Sequence, residues 1–326
     1  SLIESADEPH WGLIDCFERI IDKEPLNQRA LTQIAPLLRE NESWTRLAPV
    51  LDALGELAVE DDARLAYWSE CAQLYKTKLN SSTQAVGIYS KILEQMPLHS
   101  VALDEMRNLA QTYTERQILS VHVAEAARLE EKTSRQAELY FELGTVLLAL
   151  DTPLNQVADA FVRALDIAPK MVTAARSLSA LYERITDPSG HCDALLRLVK
   201  ASTDSGEQAL ALCERGKLLW TKLEQPDAAA QALREALELN PELRDGWLLL
   251  ADLLDKTGMV EAAIGVLKSS LEHLQGHSKD SIVVYERLAY LARKINSMES
   301  ECDYLEHCIR LGGTEDSLCE RLLDVL

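Results

Sequence analysis

The chain has few turn formers and few aromatic rings: 13 glycines, 10 prolines and only three phenylalanines occur in 326 residues. Glycine and proline sum to 13 + 10 = 23, well under the roughly 12% share usual in proteins, so turns are few and brief and an all-helical chain is expected. Positive charge is scarce as well. The 33 Lys and Arg face 53 Asp and Glu, a formal charge of −20. Phosphate backbones are bound by net basic faces, so nucleic acid is not expected as a partner. No apolar run reaches the 18 or more residues of a membrane span; the densest, Trp247 to Leu254, is broken by Asp252. At the N-terminus Glu4, Asp7 and Glu8 stand where a signal peptide carries positive charge. Seven cysteines, an odd number and never spaced CxxC, do not form a disulfide framework. A reducing, cytoplasmic setting is the expectation.

Catalytic signatures are missing too. There is no HExxH, GxSxG, GxxxxGK[ST] or GxGxxG, so neither enzymatic activity nor a cofactor is expected. His273 and His277 stand i, i+4, but Gly276 between them marks a helix end, and no metal is expected there. Cys302, His307 and Cys308 resemble a ligand cluster until columns are compared. Cys302 then aligns with Ala158 and Ala230, and Cys308 with Ala164 and Ala236, which are small-residue core positions.

What the sequence does contain is a period. Pro25, Pro97, Pro169 and Pro241 are each 72 residues apart, and the spacing holds column by column. Ala30, Ala102, Ala174 and Gly246 align, and so do Ile34, Met106, Leu178 and Leu250. Trp68, Tyr140 and Leu212 form another column, followed by Ala72, Gly144 and Gly216, then Tyr89, Phe161, Leu233 and Leu305. Four blocks result, 26–97, 98–169, 170–241 and 242–313, with 1–25 matching the last helix of a preceding block and 314–326 the first helix of a following one. Each block holds four amphipathic segments of about 12 to 17 residues with apolar positions at i, i+3, i+4 and i+7. In the first block they lie near 27–41, 44–59, 62–79 and 82–96. Polar joints such as Asn41-Glu42-Ser43 separate them and supply helix caps. Near 276–280 the register slips: Tyr285, Leu288, Ala289 and Ala292 fit one residue late, which predicts a one-residue insertion.

The second half of each block resembles the tetratricopeptide repeat (TPR), with its W-x2-L-G-x2-Y, A-x3-F, P pattern. The third block shows Leu212, Gly216, Leu219, Ala229, Leu233, Ala236 and Pro241; the second shows Tyr140, Leu143, Gly144, Leu147, Phe161, Ala164 and Pro169. The first halves are looser, although Trp247, Leu250, Ala251, Leu254, Gly258 and Ala263 fit. Long bacterial arrays that alternate strict and loose repeats look similar. The resemblance implies one all-α solenoid over 1–326, a right-handed superhelix of stacked antiparallel helix pairs with about 18 helices.

In that family the first helix of each pair lines a concave face that binds peptides. By pattern, this face takes Phe141 from the second block, then Arg176, Arg184, Lys217 and Trp220 from the third, and Leu248, Asp252, Tyr290, Arg293 and Lys294 from the fourth. Two basic spots are expected there, one of Arg176, Arg184 and Lys217, the other of Arg293 and Lys294 beside Tyr290. The clamp that some family members use on a terminal carboxylate does not fit, because Asp104 precedes Asn108 where a lysine is required. The expected function is a non-catalytic scaffold for a protein or peptide. Alternatives are a regulatory or substrate-recruiting segment of a larger enzyme, or a self-assembling array. Apolar chain ends are expected to favour weak end-to-end association.

Overall fold

The computed structural model describes residues 11–273 and 278–312, all helices and short links, with no strand among them. The chain divides into two compact units, 1–167 and 168–326. The first contains α1 (Trp11–Lys23), α2 (Gln28–Glu40), α3 (Trp44–Leu57), α4 (Asp61–Thr77), α5 (Ser82–Gln95), α6 (Ser100–Leu109), α7 (Tyr113–Leu129), α8 (Thr133–Ala149) and α9 (Leu154–Ile167). The second contains α10 (Val172–Ile185), α11 (Pro188–Ala201), α12 (Ser205–Thr221), α13 (Pro226–Leu239), α14 (Arg244–Lys256), α15 (Val260–His273), α16 (Ser278–Lys294) and α17 (Met298–Arg310). Residues 314–326, with the partial helix expected there, and His277 lie outside the described residues.

Within each unit successive helices pack as hairpins, and even-numbered helices are the first members of pairs. The close approach inside a pair comes from one column of small residues. A Cβ built on Gly144 meets the Phe161 ring at 2.5 Å, and one on Gly216 meets Leu233 Cγ at 2.7 Å. Phe161 and Leu233 are themselves sealed from solvent, each burial stabilising by about 2 kcal/mol. The pairs α4·α5 and α16·α17 place Ala72 and Ala289 in that column, and their large residues Tyr89 and Leu305 are equally buried. The four-residue links inside three of these pairs turn through left-handed residues, Asn80, Asp151 and Glu224, with φ of 50°, 49° and 54°. Such a bend reverses the chain in minimum length.

The register holds with two local departures. Helices α4, α8 and α12 begin at 61, 133 and 205, 72 residues apart, whereas α16 begins at 278, one late. The link before α17 is one residue shorter than its counterparts, so α13 and α17 begin at 226 and 298, back in step. The expected insertion is therefore cancelled within one helix pair. The second departure was not expected. α6 has only 10 residues, and α7 begins at 113, three residues before the position that α3, α11 and α15 share. Glu115 is the cause. Its carboxylate accepts the backbone N–H of Thr112 at 2.9 Å and of Gln111 at 3.0 Å, while its own N–H donates to the Thr112 hydroxyl. This capping box starts the helix early.

Glu115 is fully buried and also accepts the Ser82 and Thr83 hydroxyls of α5 at 2.9 and 3.0 Å. Burial alone would raise its pKa, but the hydrogen bonds from Thr112, Ser82 and Thr83 outweigh it and bring the carboxyl from 4.5 down to about 2. The depressed folded value means that its contribution is complete above the unfolded pKa and is lost as pH falls from about 4.5 to about 2. Glu115→Gln should lower stability at neutral pH by on the order of 2 kcal/mol and flatten the acid limb of a urea-denaturation series. Equal acid limbs in both proteins would exclude this role for Glu115.

The glycine column makes a second test. Gly144→Val should destabilise by about 2 kcal/mol or more through overpacking against Phe161. Gly87→Ala in the middle of α5, with nothing within 4 Å of the new Cβ, should instead stabilise by about 0.5–1 kcal/mol through helix propensity. Urea midpoints of the two variants should move in opposite directions.

Candidate partner-binding face

Most first helices that neighbour one another within a unit are tied by ion pairs, the pair α12 and α14 excepted among the described residues, and most of these ion pairs follow one direction. A cation on one first helix reaches an acid on the next, 29 to 36 residues later. Arg39 of α2 grips Glu70 of α4 with two hydrogen bonds of 2.8 and 2.9 Å. Lys76 of α4 reaches Glu105 of α6 at 2.6 Å. Arg107 of α6 grips Glu142 of α8 and also bonds Asp104 on its own helix. In the second unit Arg176 of α10 bonds Glu207 of α12 at 2.5 Å, and Arg244 of α14 bonds Asp280 of α16 at 2.6 Å. The hydrogen bond from Arg176, followed by that from Ser202, holds the Glu207 carboxyl below its usual pKa.

Between α14 and α16 cations also reach back. Lys294 bonds Asp255 at 2.7 Å, and Arg287 reaches Asp252 at 2.5 Å and Asp255 at 3.8 Å. The Asp255 side chain is only 3% exposed, so the charge is stable there only because two cations face it. The Arg287 guanidinium also lies 4.6 Å from the centre of the Tyr290 ring, within cation–π range.

Against this frame the expected groove residues separate. Asp252, Tyr290 and Lys294 are brought together through Arg287 and Asp255, and Arg293 stands exposed beside them without an ion pair among the described residues. Leu248 and Trp220 are half-buried against the apolar core of the second unit. Lys217 lines a cleft of about 380 Å³ with Tyr182, Glu183, Glu214, Leu218 and Lys222, and Arg184 is exposed at the end of α10. Two residues sit differently from expectation. Phe141 packs within its own pair, its ring 5.6 Å from that of Phe161. Arg176 is engaged by Glu207 and does not join Arg184 and Lys217 in a free basic spot.

The ion pairs themselves escaped the sequence reading. Their signal is a cation followed 29 to 36 residues on by an acid, a spacing close to half the 72-residue block, and single-helix patterns do not expose it. Cys71, Cys192, Cys213 and Cys308 are buried, Cys302 is half-buried and Cys16 is exposed. Burial pushes the Cys71 thiol up to about 12 and Cys213 up to about 11, the condition of an unreactive thiol. Cys308 is fully buried, and His307 stacks 5.0 Å from the Tyr285 ring. His273, ending α15, stacks 5.9 Å from Trp247.

Exposure decides how much each ion pair contributes. Arg39 and Glu70 are 45% and 38% exposed, and replacing Arg39 by Met should change stability by no more than about 0.5 kcal/mol. Lys294→Met leaves the buried Asp255 with one distant cation and should destabilise by about 2 kcal/mol. Restoration by the added change Asp255→Asn, measured as a double-mutant cycle, would confirm the coupling; additive effects would refute it.

A family model described as tetratricopeptide repeat matches residues 221–279, the stretch from the end of α12 to the start of α16. No curated protein matches the sequence. Solved structures with a similar chain course include the C-terminal part of a TPR repeat-containing protein from Cytophaga hutchinsonii. It is 11% identical, with 76% of this chain and 97% of that one covered and a TM-score of 0.46. YrrB, a TPR protein with an unusual peptide-binding site, is 19% identical, covering 62% of this chain and 97% of its own at a TM-score of 0.42. Pseudomonas aeruginosa pilF is 17% identical, with 69% and 98% covered and a TM-score of 0.35. The stretch 221–279 thus matches the tetratricopeptide repeat family model, and a helix pair closed by a glycine against a large apolar residue occurs in both α8·α9 and α12·α13.

Proposed function

We propose that the protein is a non-catalytic scaffold that binds a protein or peptide along the face presented by its first helices. The supporting observation is apolar side chains left in solvent on first helices of the second unit. Leu210 of α12 is 59% exposed, Val283 and Tyr290 of α16 are 38% and 45% exposed, and Trp220 and Leu248 are half-covered close by. The ion pairs hold α14 and α16 in fixed register, so this surface is formed before a partner arrives, which lowers the entropy lost on binding. Aromatic and arginine residues on such a surface carry most of the binding energy.

Trp220→Ala, Tyr290→Ala and Arg293→Ala, each measured against a partner captured by crosslinking, should weaken binding by about 1 kcal/mol or more with helix content unchanged. Arg293 is changed alone, because loss of Lys294 would unpair Asp255. Glu235→Ala on the second helix α13 should have no effect; equal losses there would move the interface away from the first helices.

A further inference from the structure

In both units cations gather at the C-terminal ends of first helices, where the unpaired carbonyls favour them. The units differ in what those cations do. In the first, Arg39, Lys76 and Arg107 are each held by an acid of the following first helix, and Lys78, the C-cap of α4, lies over the Trp44 ring. In the second, Arg184 closes α10, Lys222 caps α12, Lys256 ends α14 and Arg293 lies one residue from the end of α16. All four are exposed, and none is in an ion pair among the described residues. The four helix ends lie side by side. Residues from the ends of α10 and α12 line one cleft, α12 packs on α14, and Lys294 joins α16 to Asp255 of α14. Some acids at this edge are already engaged or share the cleft with cations, Glu214 among the latter. Asp187 caps α11 through the Ser189 N–H, Asp255 holds Lys294, and Glu183 shares the cleft with Lys217 and Lys222. Glu224 stands in the link after α12.

Helix-end preference accounts for a cation at each end, but not for four consecutive ends left without a partner in a chain of net charge −20. Neighbouring packed helices are spaced roughly 8–10 Å apart, and a chain extended as polyproline II advances about 3.1 Å per residue with three residues per turn. Three residues of such a peptide therefore span one helix-to-helix step and bring every third side chain back to the same side. We propose that Arg184, Lys222, Lys256 and Arg293 form a rail for an extended acidic segment of a partner protein, with a carboxylate at every third residue. The proposal rests on the first-helix face being the binding face, and it names the chemistry and spacing of what binds at its edge.

The test uses the full chain and two synthetic peptides of identical composition, capped at both ends. One has glutamate at every third position; the other has the same glutamates contiguous. The spaced peptide should bind about tenfold more tightly at low salt. The combined change Arg184→Gln, Lys222→Gln, Lys256→Gln and Arg293→Gln should abolish that advantage while circular dichroism stays the same, and Arg39→Gln should leave it intact. Equal affinity for the two peptides, no binding of either, or an unaltered preference in the fourfold variant would overturn the rail. NMR signals of Trp220 and Tyr290 separate the two levels of the reading. If they move with peptide while the fourfold change has no effect, the face binds and the rail is wrong. If they do not move at all, both proposals fail.

Discussion

Everything in this protein depends on how closely two helices of a pair can approach. Where Gly144 faces Phe161 and Gly216 faces Leu233 there is no room for even one methyl group, and the large residue fills the space that the small one leaves. This contact sets the distance within each pair, and the position of the next pair follows from it. The ion pairs between successive first helices then work on a spacing already fixed by apolar packing. Being mostly exposed, they adjust the register of one helix against the next and contribute little to holding the fold together. Asp255 is the exception, because burial makes its neutralisation by Lys294 and Arg287 a condition of that part of the fold.

Most of the architecture was legible in the sequence, and for a physical reason. A repeat that must pack against its own copies places small, large and helix-stopping residues at constant offsets, so the packing rule appears directly as columns such as Ala72, Gly144 and Gly216. The early start of α7 was not legible from the columns. It depends on one glutamate, Glu115, meeting Thr112 and the hydroxyls of Ser82 and Thr83, a local arrangement with no counterpart among the described residues of the other blocks. Capping boxes are visible in sequence when sought, and Thr112-x-x-Glu115 is one.

The candidate face was legible only in part. Position in the repeat identifies which residues belong to first helices, but not whether a charge there is engaged. Arg176 and Arg184 look alike in sequence, yet one is bound by Glu207 and the other stands clear. The difference lies in an acid 31 residues further on, across a helix boundary that no single-helix pattern crosses. Phe141 shows the same limit for apolar residues, since its ring turns toward Phe161 within its own pair.

The paired departures around α16, one residue gained before it and one lost after it, bear on how such arrays tolerate change in length. A lone insertion would carry every downstream side chain about 100° around its helix axis and push core residues into water. Here the displacement is confined to a single helix, which keeps its place between α14 and α17 while its residue labels slide by one. A template of rigid columns laid over that stretch would put the bulky Leu288 in the small-residue column of Ala72, Gly144 and Gly216, the place that buried Ala289 takes. Length variation in an array of this kind is therefore absorbed in whole-helix parcels, and the links on either side of a helix are where compensating gains and losses should be sought.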